Sequence, residues 1–489
     1  MSQSLFSSIK RLTRHTAVYG IGHIVSRFIG FLLLPIHTNV LAPAEYRSAA
    51  LLFPFLAILN YFFSYGMDVA FLRFFIMEDE RVKKERILST AFWMIFGTGI
   101  LFASLMAFYP YQFSNLIFRS NLYYRLIYLS SGILFFDALC LIPFLVLRAE
   151  ERSISFVMLK SMNIVANLLL NILFVVILKK GVIGIFTSNL LASVFTFLLL
   201  MPVLFKWLKL TFSGSYLKKL LSFGLPYVPS GLSVIVMDQM GRFFIDRMIG
   251  KEAAGIFSAN FKLGMIMALV VSGFRFAWHP YFLSTAKKEY NAPSIFARVL
   301  TYFLLITGFI YLGISIFTNE IVNFRLFGYG IIGREYTSGI TIVPVVMLSY
   351  ICYGIYVNLV VGIYIKNKTI FLPLVTGIGA VVSIMANLLL IPKLGIQGAA
   401  WASFSGYFVM MVSLYFINQI LYPTPYEMKR IMKIFLIGAL IFISGTIIFD
   451  KSSVWIRLLI LLSMFPLLMI VRFFNREESQ RIIEWIRRR

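Results

Sequence analysis

The sequence predicts an all-α polytopic membrane protein. About 14 transmembrane helices are expected, in two pseudo-symmetric six-helix halves around a central cavity, with two C-terminal helices added. Three observations predict it. Apolar runs of about 20 residues recur from end to end, each long enough to cross a hydrocarbon core of roughly 30 Å. Hydrophobic residues make up 60% of the 489-residue chain, and the mean hydropathy is +0.87. A short sequence pattern also returns about 210 to 220 residues after its first appearance.

The expected spans lie at about 17–40, 48–74, 87–109, 123–147, 153–178, 182–205, 222–246, 252–276, 296–318, 338–363, 369–391, 396–419, 432–449 and 454–474. Residues 1–16 place Leu5, Phe6, Ile9 and Leu12 among Lys10, Arg11 and Arg14, which reads as an interfacial helix rather than a cleavable signal. Residues 17–205 form the first six-helix half, 206–221 a linker, 222–419 the second half, 420–474 the two added helices and 475–489 a basic tail.

Loop charge orients the chain. One side collects "KRLTR", "EDERVKKER", "RAEER", "KWLKL" with "YLKKL", "AKKEY", "KNK", "EMKRIMK" and the terminal "RRR". It carries about 30 of the 45 Lys and Arg residues, so the positive-inside rule puts both termini in the cytoplasm. The net charge of +25 is read as basic loops that fix topology, not as nucleic-acid binding, and its excess leaves room for an anionic substrate. Cys140 and Cys352 fall inside apolar runs, so neither a disulfide framework nor a metal site is expected. No expected loop is long enough to hold a soluble domain, and no GxxxxGK[ST] or HExxH motif is present. An enzyme and a nucleotide-driven pump are both disfavoured, and no cofactor is expected.

The repeat pairs "ANLLLNILFVVILKKGVIGIFTSN" from Ala166 with "ANLLLIPKLGIQGAAWASFSG" from Ala386. The second copy is about six residues shorter before its turn. An earlier pair, "SRFIGF" and "GRFFIDRMIG", has a similar offset. Two halves of six spans share one orientation. Rocking such halves about a cavity gives alternating access.

Polar residues within spans are the candidate site. Arg27 lies about ten residues into the first span, roughly 15 Å deep. A charge there facing lipid costs roughly 2.5–3.5 kcal/mol on insertion scales, so it faces either a cavity or an internal partner. His23 shares its helical face. In the seventh span Asp238, Arg242 and Asp246 are spaced by four, which allows a self-neutralising ladder or a cavity-facing Arg242. Lys262 has no acid at helical spacing and is a cavity candidate. Asp68 and Asp137 are candidates for binding a coupling H⁺ or Na⁺; the alternatives are Arg73 as partner of Asp68, and Arg27 or Lys262 as partner of Asp137. Asn163, Asn167, Asn171 and Asn387 read as interhelical hydrogen-bond residues. His279, before Pro280, reads as a helix-end residue.

These pieces resemble the polysaccharide-transporter branch of the MOP superfamily, the O-antigen and exopolysaccharide repeat-unit flippases. The resemblance is carried by "KRLTRHTAVYGIGHIVSRFIGFLLLPIHTNVLAPAEY", "LVLRAEER", "SFGLPYVPSGLS", "DRMIGKEAAGIFSANFKLG" and "LGIQGAAWASF". "SRFIGF" is also similar to a first-helix run of the related lipid II flippases, in which the arginine is tied to pyrophosphate. That role carries to Arg27 alone. The second-helix cavity arginine of that group has no match, since Arg47 and Arg73 lie near the span ends. The resemblance implies an undecaprenyl-pyrophosphate-linked oligosaccharide as cargo, moved to the outer leaflet for lipopolysaccharide O-antigen or exopolysaccharide synthesis. Polysaccharide polymerase machinery is a candidate partner. The alternatives are a multidrug-type antiporter of the same fold, and a membrane glycan polymerase or glycosyltransferase.

Overall fold

The computed structural model describes residues 32–289, 291–326, 329–366, 368–449 and 452–474. The expected interfacial helix, most of the first span and the basic tail lie outside these residues, and with them His23 and Arg27.

The described residues are helical apart from turns and one two-residue ladder pairing Arg325 with Gly330 and Leu326 with Tyr329. The first half comprises α1 (Leu33–Val40), α2 (Pro43–Phe63), α3 (Met67–Met77), α4 (Arg81–Phe108), α5 (Pro110–Phe118), α6 (Tyr124–Ala149), α7 (Ser153–Asn171) and α8 (Gly181–Trp207). A strap, α9 (Gly214–Gly224), leads into the second half. That half comprises α10 (Val228–Met248), α11 (Lys251–Gly264), α12 (Ile266–Lys288), α13 (Ala292–Ile316), α14 (Val343–Leu359), α15 (Phe371–Leu394) and α16 (Ile396–Leu421). The last helices are α17 (Met428–Ile443), α18 (Val454–Leu462) and α19 (Met464–Ile470).

Among the described residues 12 helical stretches are long and apolar enough to cross a membrane, and Val454–Ile470 is a shorter apolar helix. The chain is a multi-pass membrane protein. Each expected span from the second onward meets one of these, within a few residues at most ends. Two differences have local causes. The span expected over 48–74 is broken between α2 and α3, where Tyr65 and Gly66 both take left-handed backbone. The helix expected to stop near 276 continues to Lys288, so His279 is not at a helix end.

The core explains how the halves join. One buried cluster spans both halves, with Leu34, Leu51, Phe118 and Phe186 packed with Ile245, Phe257, Val343 and Ala399. It lies toward the face opposite the basic loops. Toward the basic face the clusters separate: Phe71, Leu88, Leu145 and Leu204 in one half, and Val375, Tyr407 and Met410 in the other. The halves therefore share one core at the opposite face and keep separate cores at the basic one. The added helices pack on α13 through Leu312, Ile437 and Met464. Arg457 of α18 is held there by Glu320 and by the carbonyl of Ile316.

Helices α2 and α10 run antiparallel along the seam between the halves. Arg47 meets Asp246 at one end, and Tyr61 lies over Gly231 further along. At the other end Gly66 meets Gly224 backbone to backbone. A Cβ on Gly66 would fall 2.1 Å from the Gly224 carbonyl oxygen, so glycine is required by both contact and conformation. The strap α9 also rests on the first half. Leu220 enters its core, and the amides of Lys209 and Ser213 are accepted by the hydroxyls of Ser89 and Thr90.

Candidate functional site

A cavity of about 370 Å³ lies between the halves. The first half supplies His37 from α1, Asn167 and Asn171 from α7, and Asn189 from α8. The second supplies Gln239 and Arg242 from α10, and Ser258 and Lys262 from α11. Pro54 shapes the wall. It has no N–H for the carbonyl of Ala50, and both residues line the cavity.

Arg242 reaches the cavity because its helix neighbours go elsewhere. Asp246, one turn on, pairs with Arg47 of the first half. Asp238, one turn back, accepts from the hydroxyls of Tyr350 at 3.1 Å and Tyr407 at 2.6 Å. The ladder allowed by the spacing of four is thus pulled apart by three other helices. The Arg242 guanidinium lies 5.0 Å from the ring centre of Phe261, a cation–π contact in a buried setting. Lys262 faces the same space. Among the described residues no carboxylate lines this cavity, and no ion pair holds Arg242 or Lys262.

His37 is one of the site residues that sequence reasoning missed, with Asn189, Gln239 and Ser258. It is 4% exposed, and its Nε2 donates to Asn171 Oδ1 at 2.9 Å. Asn171 Nδ2 donates in turn to Asn167 Oδ1 at 2.5 Å. Its signal was faint, a single histidine near the end of an apolar run. Asn167 and Asn171 were expected to be interhelical, and Asn171 is, through His37. Both also border the cavity. Asn387 bonds back to the Ser383 carbonyl within its own helix.

Asp68 and Asp137 come together elsewhere. They line a second pocket of about 420 Å³ inside the first half, with Asn60, Arg148, Lys160, Asn163 and Thr196. Ser193 Oγ donates to Asp137 Oδ1 at 2.6 Å. Asn163 Nδ2 donates to Thr196 Oγ1 at 2.6 Å and to the Ala192 carbonyl at 3.1 Å. Lys262 lines the other cavity, so it is not the cation beside Asp137; Lys160 and Arg148 are the cations of this pocket. Arg73, expected as a partner for Asp68, lies over the ring of Phe223 at 4.3 Å, and the pocket arginine near Asp68 is Arg148.

A family profile described as polysaccharide biosynthesis protein matches residues 12–286, more than half of the chain. The chain belongs to this family. No curated protein sequence matches it. Solved structures do. A structure of the lipid II flippase MurJ in an inward closed conformation superposes with a TM-score of 0.76 at 17% identity, covering 94% of this chain and 99% of that one. An inward-facing multidrug resistance MATE transporter of the MOP superfamily gives 0.68 at 14% identity, over 81% and 94%. A Pyrococcus furiosus MOP transporter, whose report describes a binding pocket of reversed polarity, gives 0.63 at 14% identity, over 84% and 95%. At these identities the likeness is one of fold. The fold is one shared with these membrane transporters.

Proposed function

We propose that this protein is a flippase for undecaprenyl-pyrophosphate-linked oligosaccharide repeat units. It moves them by alternating access from the cytoplasmic to the outer leaflet of a bacterial inner membrane, and serves surface polysaccharide synthesis. The observation that carries the proposal is the charge of the central cavity. Arg242 and Lys262 bring positive charge there, opposite His37 and the asparagines of the first half, with no carboxylate among its described lining residues. A diphosphate suits that lining, because a guanidinium fork donates two parallel hydrogen bonds to phosphate oxygens. A multidrug-type antiporter for cationic compounds would need the opposite sign. Arg27 and His23, outside the described residues, would add to the same charge. The polar headgroup occupies the cavity while the isoprenoid tail stays in lipid.

Coupling is a separate part of the proposal. Asp68 and Asp137 are its H⁺ or Na⁺ exchange residues, because they lie together in a polar pocket of the same half. Polysaccharide polymerase machinery is the proposed partner downstream.

The test is a deletion strain, with lipid-linked oligosaccharides measured by mass spectrometry and surface glycan measured in parallel. Complete repeat units accumulating on undecaprenyl pyrophosphate, with surface glycan lost, is the expected result. An intact surface glycan with altered drug sensitivity would overturn the proposal in favour of the antiporter.

A further inference from the structure

We infer that the pocket inside the first half is a glycan subsite, and that a stripe of asparagines on α7 leads the sugar chain to it from the central cavity. The inference rests on the flippase reading above.

The stripe is a matter of spacing. Lys160, Asn163, Asn167 and Asn171 follow one another at intervals of three, four and four, and so lie along one face of α7. They extend over about 16 Å of helix at 1.5 Å per residue. Asn167 and Asn171 line the cationic cavity, and Lys160 and Asn163 line the inner pocket. The same handover occurs on α2, where Ala57 borders the first space and Asn60 the second. The two pockets are thus about one turn apart along each of these two helices.

The lining of the inner pocket fits a saccharide. A sugar ring presents many hydroxyls, each both donor and acceptor. Side-chain amides supply both functions, carboxylates accept, and ammonium and guanidinium groups donate. Asn60 and Asn163 provide the amides, Asp68 and Asp137 the carboxylates, and Lys160 and Arg148 the cations. The formal charges of these four ionisable groups sum to zero, which suits a largely uncharged glycan better than the diphosphate. Phe63, Phe144 and Phe156 add apolar ring faces for the C–H side of a pyranose. A pocket dedicated to a metal cation would instead gather its carboxylates away from fixed cations. Here the Lys160 ammonium lies 4.1 Å from the Phe144 ring centre, in the same pocket as Asp137. Where these carboxylates also exchange a coupling ion, ion and sugar compete for the same oxygens.

The division of labour follows. Arg242 and Lys262 hold the diphosphate, which every cargo shares. The α7 stripe and the inner pocket hold the oligosaccharide, which distinguishes one cargo from another.

The full-length protein in nanodiscs tests this with two probes, undecaprenyl pyrophosphate without sugar and the same lipid bearing the host's complete oligosaccharide unit. Asn163→Ala and Lys160→Gln should each weaken binding of the glycan-bearing lipid about tenfold, the loss expected of one charge-assisted or buried hydrogen bond. Binding of the sugarless lipid should be unchanged. Two variants are needed because Asn163 also bonds to α8, whereas Lys160 does not depend on that contact. Equal weakening of both probes, or of neither, would overturn the subsite. A parent protein that binds neither lipid would overturn the flippase reading, and this inference with it.

Discussion

Arg47 and Asp246 form a buried two-point ion pair that joins one half of the molecule to the other. Arg47 Nη2 donates to Asp246 Oδ2 at 2.6 Å, and its Nε donates to Oδ1. The side chains are only 2% and 6% exposed. The guanidinium also lies 5.5 Å from the ring centre of Phe118. The pair stands at the end of the α2–α10 seam where the shared core lies. It is therefore part of what closes the opposite face in this conformation.

Breaking that pair should destabilise this closed form. Arg47→Ala leaves a buried carboxylate without its partner, at a cost of about 3–5 kcal/mol. Arg47→Leu with Asp246→Leu removes both charges and should lose less. Thermal unfolding in detergent of the single and double variants measures the difference. A double variant less stable than Arg47→Ala would contradict the account.

The cationic cavity should be sensitive to charge and to shape. Arg242→Ala and Lys262→Ala should each lose about 2–5 kcal/mol of headgroup affinity, as expected when one side of a desolvated charge contact is truncated. Arg242→Lys keeps the charge without the fork and should recover only part of the activity. Lipid-linked oligosaccharide accumulation at matched protein level is the readout. Normal transport by Arg242→Ala would remove this residue from the site.

The Gly66–Gly224 contact leaves no room for a side chain. Gly66→Ala brings a Cβ against backbone and forces a non-glycine residue to a φ of +68°. Together these should lower stability by roughly 2–5 kcal/mol. Gly224→Ala would place its Cβ 2.4 Å from the Tyr65 carbonyl oxygen. Melting curves for both variants test this, and a parent-like Tm would show that the α2–α3 turn and the end of α9 part easily there.

Glu150, just past the end of α6, sets a pH dependence outside the spans. Partial burial acts to raise its pKa. It is outweighed by hydrogen bonds from Lys206 at 2.7 Å and Trp207 Nε1 at 3.0 Å, and by the charges of Lys206 and Arg152. The net effect holds the carboxyl below the usual glutamate value. A depressed folded pKa adds stability above the unfolded pKa and loses it as pH falls through the folded one. Glu150→Gln should therefore lower Tm at neutral pH, and the gap should close on acidification. A gap that widened toward low pH would reverse the assignment.

Much of the helix plan was legible because hydropathy and length are local properties. Twenty apolar residues bounded by basic clusters specify a span whatever packs against it. The broken second span was not legible. Gly66 looks like any glycine in an apolar run until Gly224 is placed against it. The repeat also concealed a detail. The segment that lengthens its first copy is the π-helical turn Ile172–Ile177, which follows Asn171 at the edge of the central cavity.

The site divides along the same line. By itself the sequence determined that Arg242 and Lys262 had to find water, a partner or a ligand, because a charge inside a span cannot face lipid cheaply. It also determined that Asp238, Arg242 and Asp246 share a helical face. Only the tertiary structure decided their partners. Asp246 went to Arg47, Asp238 to two tyrosines, and Arg242 to a cavity shared with His37, 205 positions earlier in the chain. Helical spacing states which residues look in one direction. What they look at is set by how the helices pack, and that depends on contacts between residues far apart in sequence.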